Sequence, residues 1–128
     1  MPLTKFTKLN VELIRNLPSD MKSELILLED VIPDGILTSL CVNDPFYDKE
    51  RSDFLNRRPD LLKKMYAVRG KRRRLNNLDD RLNFEVDEKV QFVKDYPQFK
   101  QLIESIIFED KSGNVVKVVP IDQYLAEN

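Results

Sequence analysis

Proline residues divide this chain into short segments, and their positions constrain the fold more than any other feature of the sequence. Five of the seven prolines each precede a stretch with helical spacing of apolar residues: Pro18, Pro33, Pro45, Pro59 and Pro97. Proline suits the first turn of a helix, because its missing N–H would have no intrahelical partner there. The sequence therefore predicts short helices with sharp joints rather than a bundle of long helices.

The spacing of apolar residues gives approximate bounds for these helices. The predicted helices cover residues 10–17, 18–31, 36–41 and 45–56, a segment that starts at Pro59, and a short helix around residues 86–93. Asp44 precedes Pro45 and is expected to cap the fourth helix. Gly70 favours a break in the fifth segment, because glycine costs a helix about 1 kcal/mol relative to alanine.

The C-terminal part of the chain changes character and predicts a β-hairpin. Residues 106–108 and 115–119 are rich in β-branched and aromatic side chains, and the turn-forming residues 110–114 lie between them. Pro120 has no N–H to donate and is expected to end the second strand. The predicted fold class is therefore mainly α (α+β), with five to seven short helices and a C-terminal hairpin.

A chain of 128 residues suits one domain. We expect a single domain over residues 1–128, with residues 1–105 mostly helical, 106–119 forming the hairpin and 120–128 a C-terminal tail. The one cysteine, Cys41, cannot form an internal disulfide and is expected to be a buried apolar residue. With no signal pattern and no long apolar run, the sequence predicts a cytoplasmic protein that does not span a membrane.

The residues that most catalytic chemistry requires are missing. The chain has no histidine, which removes the commonest general base near neutral pH. Its only glycines, Gly35, Gly70 and Gly113, are too far apart to build the usual phosphate-binding loops. We therefore expect a protein that is not an enzyme and that uses no cofactor.

Several carboxylates are the remaining candidates for metal binding. They are Asp79, Asp80, Glu85, Asp87 and Glu88. Oxygen ligands of this kind can bind Mg²⁺. The favoured interpretation is a solvated acidic surface, with some of these acids stabilising helix N-termini. No metal site is predicted.

A dense basic segment, residues 57–74, is the main indication of function. It contains nine basic residues and one acid, a net charge of +8, whereas the rest of the chain carries −9. The basic residues are Arg57, Arg58, Lys63, Lys64, Arg69, Lys71, Arg72, Arg73 and Arg74. Four consecutive basic residues cover every side of a helix, so the sequence predicts either a projecting helix or a chain that leaves the helix after Gly70.

Three kinds of partner remain open for the basic segment. It can pair with the acidic excess of the same chain, or dock on an acidic surface of another protein chain. It can also bind nucleic acid through phosphate contacts, with Tyr66 stacking on a base. A membrane surface is disfavoured, because the basic residues do not lie opposite an apolar face.

The leading interpretation is a protein-interaction or assembly subunit of a larger complex. It would dock through the basic segment, and its second hairpin strand would extend a partner's sheet. The residues of that strand edge are Val115, Val116, Lys117, Val118 and Val119. The alternative is a small nucleic-acid-binding or regulatory factor, and the partner in either case is not identified by the sequence.

Overall fold

A computed structural model describes residues 3–38 and 48–127 of the chain. In chain order its elements are β1 (Thr4–Leu9), α1 (Val11–Arg15), α2 (Ser19–Leu28), a 3₁₀ turn (Glu29–Val31), α3 (Asp48–Asn56), α4 (Pro59–Arg74), α5 (Leu78–Asp95), a 3₁₀ helix (Pro97–Leu102), β2 (Ile103–Glu109), β3 (Val115–Pro120) and α6 (Ile121–Glu127). This pattern confirms the predicted mainly helical fold class with a C-terminal antiparallel hairpin.

Proline begins several of these elements, as the sequence predicts. Helix α2 follows Pro18, α4 begins at Pro59 and the second 3₁₀ helix begins at Pro97. Of the short helix expected over residues 36–41, the structure describes residues 36–38, which have bend, turn and 3₁₀ geometry in that order. Residues 39–47, with Cys41 and the expected Asp44–Pro45 helix start, lie outside the described residues.

Two helices are longer than the sequence analysis expects. Helix α4 runs unbroken through Gly70 to Arg74, because Leu61, Met65 and Val68 are buried along one side and stabilise it. Helix α5 is one element of 18 residues rather than a short helix around residues 86–93. In the described part of the chain, no helix combines the length and apolar character needed to cross a bilayer.

The chain divides into two compact units, residues 1–13 with 75–128 and residues 14–74. The expectation of one domain over 1–128 stays a prediction. Within the first unit the three strands form an antiparallel sheet in the order β1-β2-β3, with Phe6 opposite Ile107 and Ile107 opposite Val118. The sequence analysis missed β1, whose partner strand begins more than ninety residues later.

Helices α5 and α6 complete the first unit. Helix α5 packs against β1, where the Asn83 side chain accepts the Lys5 backbone N–H at 2.7 Å. The ring of Phe92 stacks on that of Phe99 with centroids 5.7 Å apart. The predicted C-terminal tail is instead helix α6, which packs on β2 and β3 because Ile121 and Tyr124 are buried.

The second unit consists of α2, α3, α4 and the 3₁₀ turn. Its buried apolar residues include Leu25, Ile36, Leu55 and Met65. Two charged residues, Glu29 and Arg51, are also buried in this unit, and Arg51 is a cation. Its guanidinium pairs with Asp48 and lies 4.0 Å from Asp30, as a charge removed from water requires.

Candidate functional site

The basic segment forms the junction of α3 and α4 and all of α4. All nine basic side chains and Tyr66 are exposed or half-buried. The sequence predicts either a projecting helix or a break after Gly70. The structure instead has one continuous helix, with its basic residues distributed around it. Arg72 follows the buried stripe of the helix at its C-terminal end and is half-buried there, whereas Arg73 and Arg74 turn outward.

Acids of the same unit lie near three of the basic residues. Arg58 donates two hydrogen bonds to Asp60, at 3.2 and 3.0 Å, and these lower the pKa of the Asp60 carboxyl. Arg69 lies 4.0 Å from Asp30, and Arg72 lies 4.0 Å from Asp34. All of these side chains remain substantially exposed, so solvent screens each pair and weakens its contribution to stability.

One side of α4 carries basic residues that have no acidic partner among the described residues. Steps of three and four along the helix align five residues opposite the buried stripe: Lys63, Tyr66, Gly70, Arg73 and Arg74. Tyr66 is 62% exposed. Within the described residues, no acidic side chain pairs with Lys63, Arg73 or Arg74. We call this set the outer face of α4.

A buried glutamate, which sequence reasoning missed, organises the loop that follows α2. Glu29 is 3% exposed, and its Oε1 accepts the backbone N–H groups of Ile36 at 2.6 Å and Thr38 at 3.0 Å. Asp34 and Gly35 both have positive φ, which turns the chain around the carboxylate. Burial raises the pKa of the Glu29 carboxyl, because the charged form loses water.

A cleft of about 250 Å³ opens beside this carboxylate, and we call it the Glu29 cleft. Its lining includes Glu29, Gly35, Thr38, Val68, Arg69 and Arg72. The second oxygen of the carboxylate, Glu29 Oε2, is buried and has no hydrogen-bond partner.

Charged groups from three elements surround the Glu29 carboxyl. Asp30 and Asp34 come from its own segment, Arg69 and Arg72 from α4, and Arg51 of α3 adds an attractive charge. Asp30 and Asp34 bring negative charge to the cleft, and the two α4 arginines bring positive charge. The cleft therefore offers both an acceptor and cationic donors to a small polar molecule.

The hairpin edge lies in the first unit. Strand β3 is at one end of the sheet, and no strand of the described residues pairs with its outer edge. Val115, Val116 and Val118 are 59%, 53% and 54% exposed. Val119 is buried, whereas the four predicted edge residues before it, Val115, Val116, Lys117 and Val118, are all exposed.

A groove of about 360 Å³ lies beside the inward-facing residues of β3. Its lining is Lys5, Phe108, Lys117, Val119, Tyr124 and Glu127. The Lys117 ammonium lies 4.6 Å from the centre of the Phe108 ring. Burial lowers the pKa of Lys5, but the hydrogen bond and charge of Asp87 raise it by more, so this ammonium stays protonated at neutral pH.

Three of the five acids weighed as metal ligands, Asp79, Asp80 and Asp87, have other contacts in the structure. The Asn77 side chain caps α5 by accepting the N–H groups of Asp79 at 2.8 Å and Asp80 at 3.2 Å, which places both acids in the first turn. Asp87 pairs with Lys5. Within the described residues, no group of three or more His, Cys, Asp or Glu side chains is placed to hold a metal ion.

Comparisons with known protein families, with curated proteins and with solved structures found no match for this chain. The functional proposals therefore rest on the geometry of the outer face of α4, the Glu29 cleft and the β3 edge.

Proposed function

We propose that this protein is a non-enzymatic interaction subunit of a larger assembly and that it binds a partner chain by strand addition at β3. The observation that carries the proposal is the exposure of three valines on an edge strand. Exposed apolar edge strands invite pairing with another chain, and proteins usually protect them. The opposite edge, β1, has the polar sequence that such protection predicts, with Thr4, Lys5, Thr7 and Lys8.

The groove beside β3 supports a partner strand of particular chemistry. Main-chain hydrogen bonds provide affinity in strand addition, whereas side-chain pockets provide specificity. Among the described residues, Lys5 and Lys117 line the groove and Glu127 is the one acid beside them. An extended segment with one Asp or Glu between β-branched residues therefore fits, because its carboxylate would meet Lys117 and its apolar side chains would cover Val116 and Val118.

The β3 strand of a second copy of this chain fits this edge less well than an acidic, β-branched segment of another protein does. Antiparallel pairing of two β3 strands centred on Lys117 would place two ammonium groups opposite each other, and like charges in that position are destabilising.

The proposed compartment of the assembly is the cytoplasm, because the chain has a single cysteine and cannot form an internal disulfide.

Selection from a library of short random peptides tests this proposal. The wild-type protein should enrich extended, β-branched peptides that contain an acidic residue. Lys117→Glu should reverse the charge preference of the enriched peptides towards Lys and Arg. Val118→Lys should weaken binding by about tenfold or more, because it places a charge on the apolar face.

Leu78→Lys is the matched control, since it makes the same kind of change at a residue of the same unit that is 66% exposed and lies off the sheet. It should leave peptide binding unchanged. Selection of the same peptides by wild type and Lys117→Glu would contradict strand addition at β3, as would equal losses in Val118→Lys and Leu78→Lys.

A second candidate function concerns the outer face of α4, namely binding of single-stranded nucleic acid. Lys63, Arg73 and Arg74 supply cations without acidic partners among the described residues. Tyr66 lies between them in the row and is exposed enough to stack on a base. The exposed ring favours nucleic acid over an acidic protein surface, which would need only the cations.

Binding of labelled oligo(U) and oligo(dT) at several salt concentrations tests this candidate. Affinity should fall steeply with salt, and replacing Lys63, Arg73 and Arg74 with Ala should reduce the slope by about two to three. Tyr66→Leu should lower affinity while leaving the slope unchanged, since a stacked base contributes about 1–3 kcal/mol. Lys22→Ala, an exposed change on α2, is the control. Absence of binding at low salt would overturn this function.

A further inference from the structure

We infer that the Glu29 cleft is a binding site for a small zwitterion of the α-amino-acid class, with the ligand ammonium on Glu29 Oε2 and the ligand carboxylate on Arg69. This site is independent of both interaction surfaces described above.

The carboxylate of Glu29 provides the acceptor for the ligand ammonium. A buried polar atom without a partner is rare, and each one requires an explanation. Oε1 of Glu29 is fully engaged by two backbone N–H groups of the loop, but Oε2 has no partner although the residue is 97% removed from solvent. This oxygen has almost no accessible surface, so a donor in the cleft reaches it only when a lining side chain moves aside, and a cationic donor would then form the stronger, charge-assisted bond.

Arg69 provides the donors for the ligand carboxylate. Arg69 lies 4.0 Å from Asp30, which is beyond hydrogen-bond distance, so its donors remain available at the lining of the cleft. Guanidinium groups bind carboxylates in a bidentate fashion. A ligand with an ammonium and a carboxylate therefore finds a complementary group for each end.

Charge and volume narrow the ligand class. The cleft holds the three carboxylates of Glu29, Asp30 and Asp34 and two guanidiniums, so it disfavours a ligand with strong negative charge such as a phosphate ester. Its volume of about 250 Å³ is below the range of about 300–1,000 Å³ typical of drug-sized ligands. Both properties favour a compact zwitterion.

Titration of the ¹⁵N-labelled full chain with glycine, L-alanine and L-leucine tests the site, with methylammonium and acetate as single-group probes. The amide signals of Gly35, Ile36 and Thr38 should shift in a saturable manner with the amino acids. Each single-group probe should need at least about tenfold higher concentration, because it engages one end of the cleft only.

Variants separate ligand binding from a structural role of Glu29. Glu29→Gln keeps an oxygen for the two loop N–H groups but removes the charge, and it should raise Kd about tenfold or more. Arg69→Met should do the same without touching the loop. Glu50→Gln, an exposed change on α3 in the same unit, should have no effect.

Three results would overturn the site. They are the absence of saturable shifts for all three amino acids at tens of millimolar, equal binding of the single-group probes, and unchanged Kd in both Glu29→Gln and Arg69→Met. The first result would mean that the cleft holds water only.

Discussion

The carboxylate of Glu29 occupies the space that a side chain at position 35 would need. A Cβ atom on residue 35 would overlap Glu29 Oε1, and Gly35 has φ +65°, which side chains rarely adopt. One glycine thus permits both the turn and the buried acceptor inside it. Because Glu29 and Gly35 both line the Glu29 cleft, the loop and the proposed ligand site depend on one pair of residues.

Replacing Gly35 should therefore destabilise the protein more than replacing a glycine at a similar backbone angle. Gly113 provides the control, since it has φ +81° and nothing lies within 4 Å of its added Cβ. Gly113→Ala should cost about 1–2 kcal/mol from backbone strain alone. Gly35→Ala should cost about 2–4 kcal/mol, because Glu29 must also move. Urea unfolding measures both, and equal losses would contradict the overlap.

The pH dependence of stability should report the burial of Glu29. Its pKa is higher in the folded chain than the ordinary value of 4.5, so the folded state binds this proton more tightly than the unfolded state does. The stabilising contribution of that proton is complete below pH 4.5 and is lost as the pH rises through the folded value. Lowering the pH from 7 should thus stabilise wild type relative to Glu29→Gln.

Unfolding curves recorded across this pH range check the expectation. The difference in unfolding free energy between wild type and Glu29→Gln should grow in favour of wild type towards acid pH. Glu50→Gln should follow wild type more closely, since Glu50 is exposed. Parallel curves for wild type and Glu29→Gln would show that the Glu29 proton is not linked to folding.

Gly70 should be the position where a single alanine stabilises the protein. Its added Cβ would meet only Arg74 Nη1, at the ordinary contact distance of 3.6 Å, and α4 is helical on both sides. Gly70→Ala should raise the unfolding free energy by about 1 kcal/mol. The reverse change Ala67→Gly, at an exposed site in the same helix, should lower it by a similar amount.

The same substitution informs the second candidate function. Gly70 lies in the middle of the outer face of α4, where a missing side chain lets a nucleic-acid backbone approach closely. Weaker oligonucleotide binding by the more stable Gly70→Ala variant would support that contact.

The stability measurement has its own contradicting outcome. An unfolding free energy that does not change in Gly70→Ala would contradict a helix that is continuous through residue 70.

The cap of α5 provides a prediction about the first unit. Asn77 satisfies two backbone N–H groups at the helix start. Asn77→Ala should lower the unfolding free energy by about 1 kcal/mol. Asn76→Ala, one residue earlier and also exposed, is the matched control and should have little effect. Equal effects in the two variants would show that the cap does not contribute.

Local signals explain which parts of the fold the sequence predicts. Prolines mark the helix starts and turn formers mark the hairpin, because these effects operate within a few residues. The break expected at Gly70 fails because burial of Leu61, Met65 and Val68 outweighs a penalty of about 1 kcal/mol. Whether burial outweighs the glycine penalty depends on tertiary packing, and the local sequence does not show that packing.

Long-range contacts explain what the sequence does not predict. Strand β1 has one large apolar residue in its middle, Phe6, and no clean alternation, so only its pairing with β2 defines it. The role of Glu29 is likewise unmarked, since it lies in a run of ordinary helical spacing. The one local signal is the Asp34–Gly35 pair, which indicates a turn but not the buried acid inside it.

The pairing of β1 with β2 has a consequence for the order of events during protein synthesis. Strand β1 cannot pair until β2 has been synthesised, because Phe6 lies opposite Ile107, about a hundred residues later. At translation rates of about 5–20 residues per second that delay is roughly 5 to 20 s. Residues 14–74 form a separate compact unit, and all of them are synthesised before Ile107. Strand β1 therefore gains its neighbour only after every residue of the second unit has been synthesised.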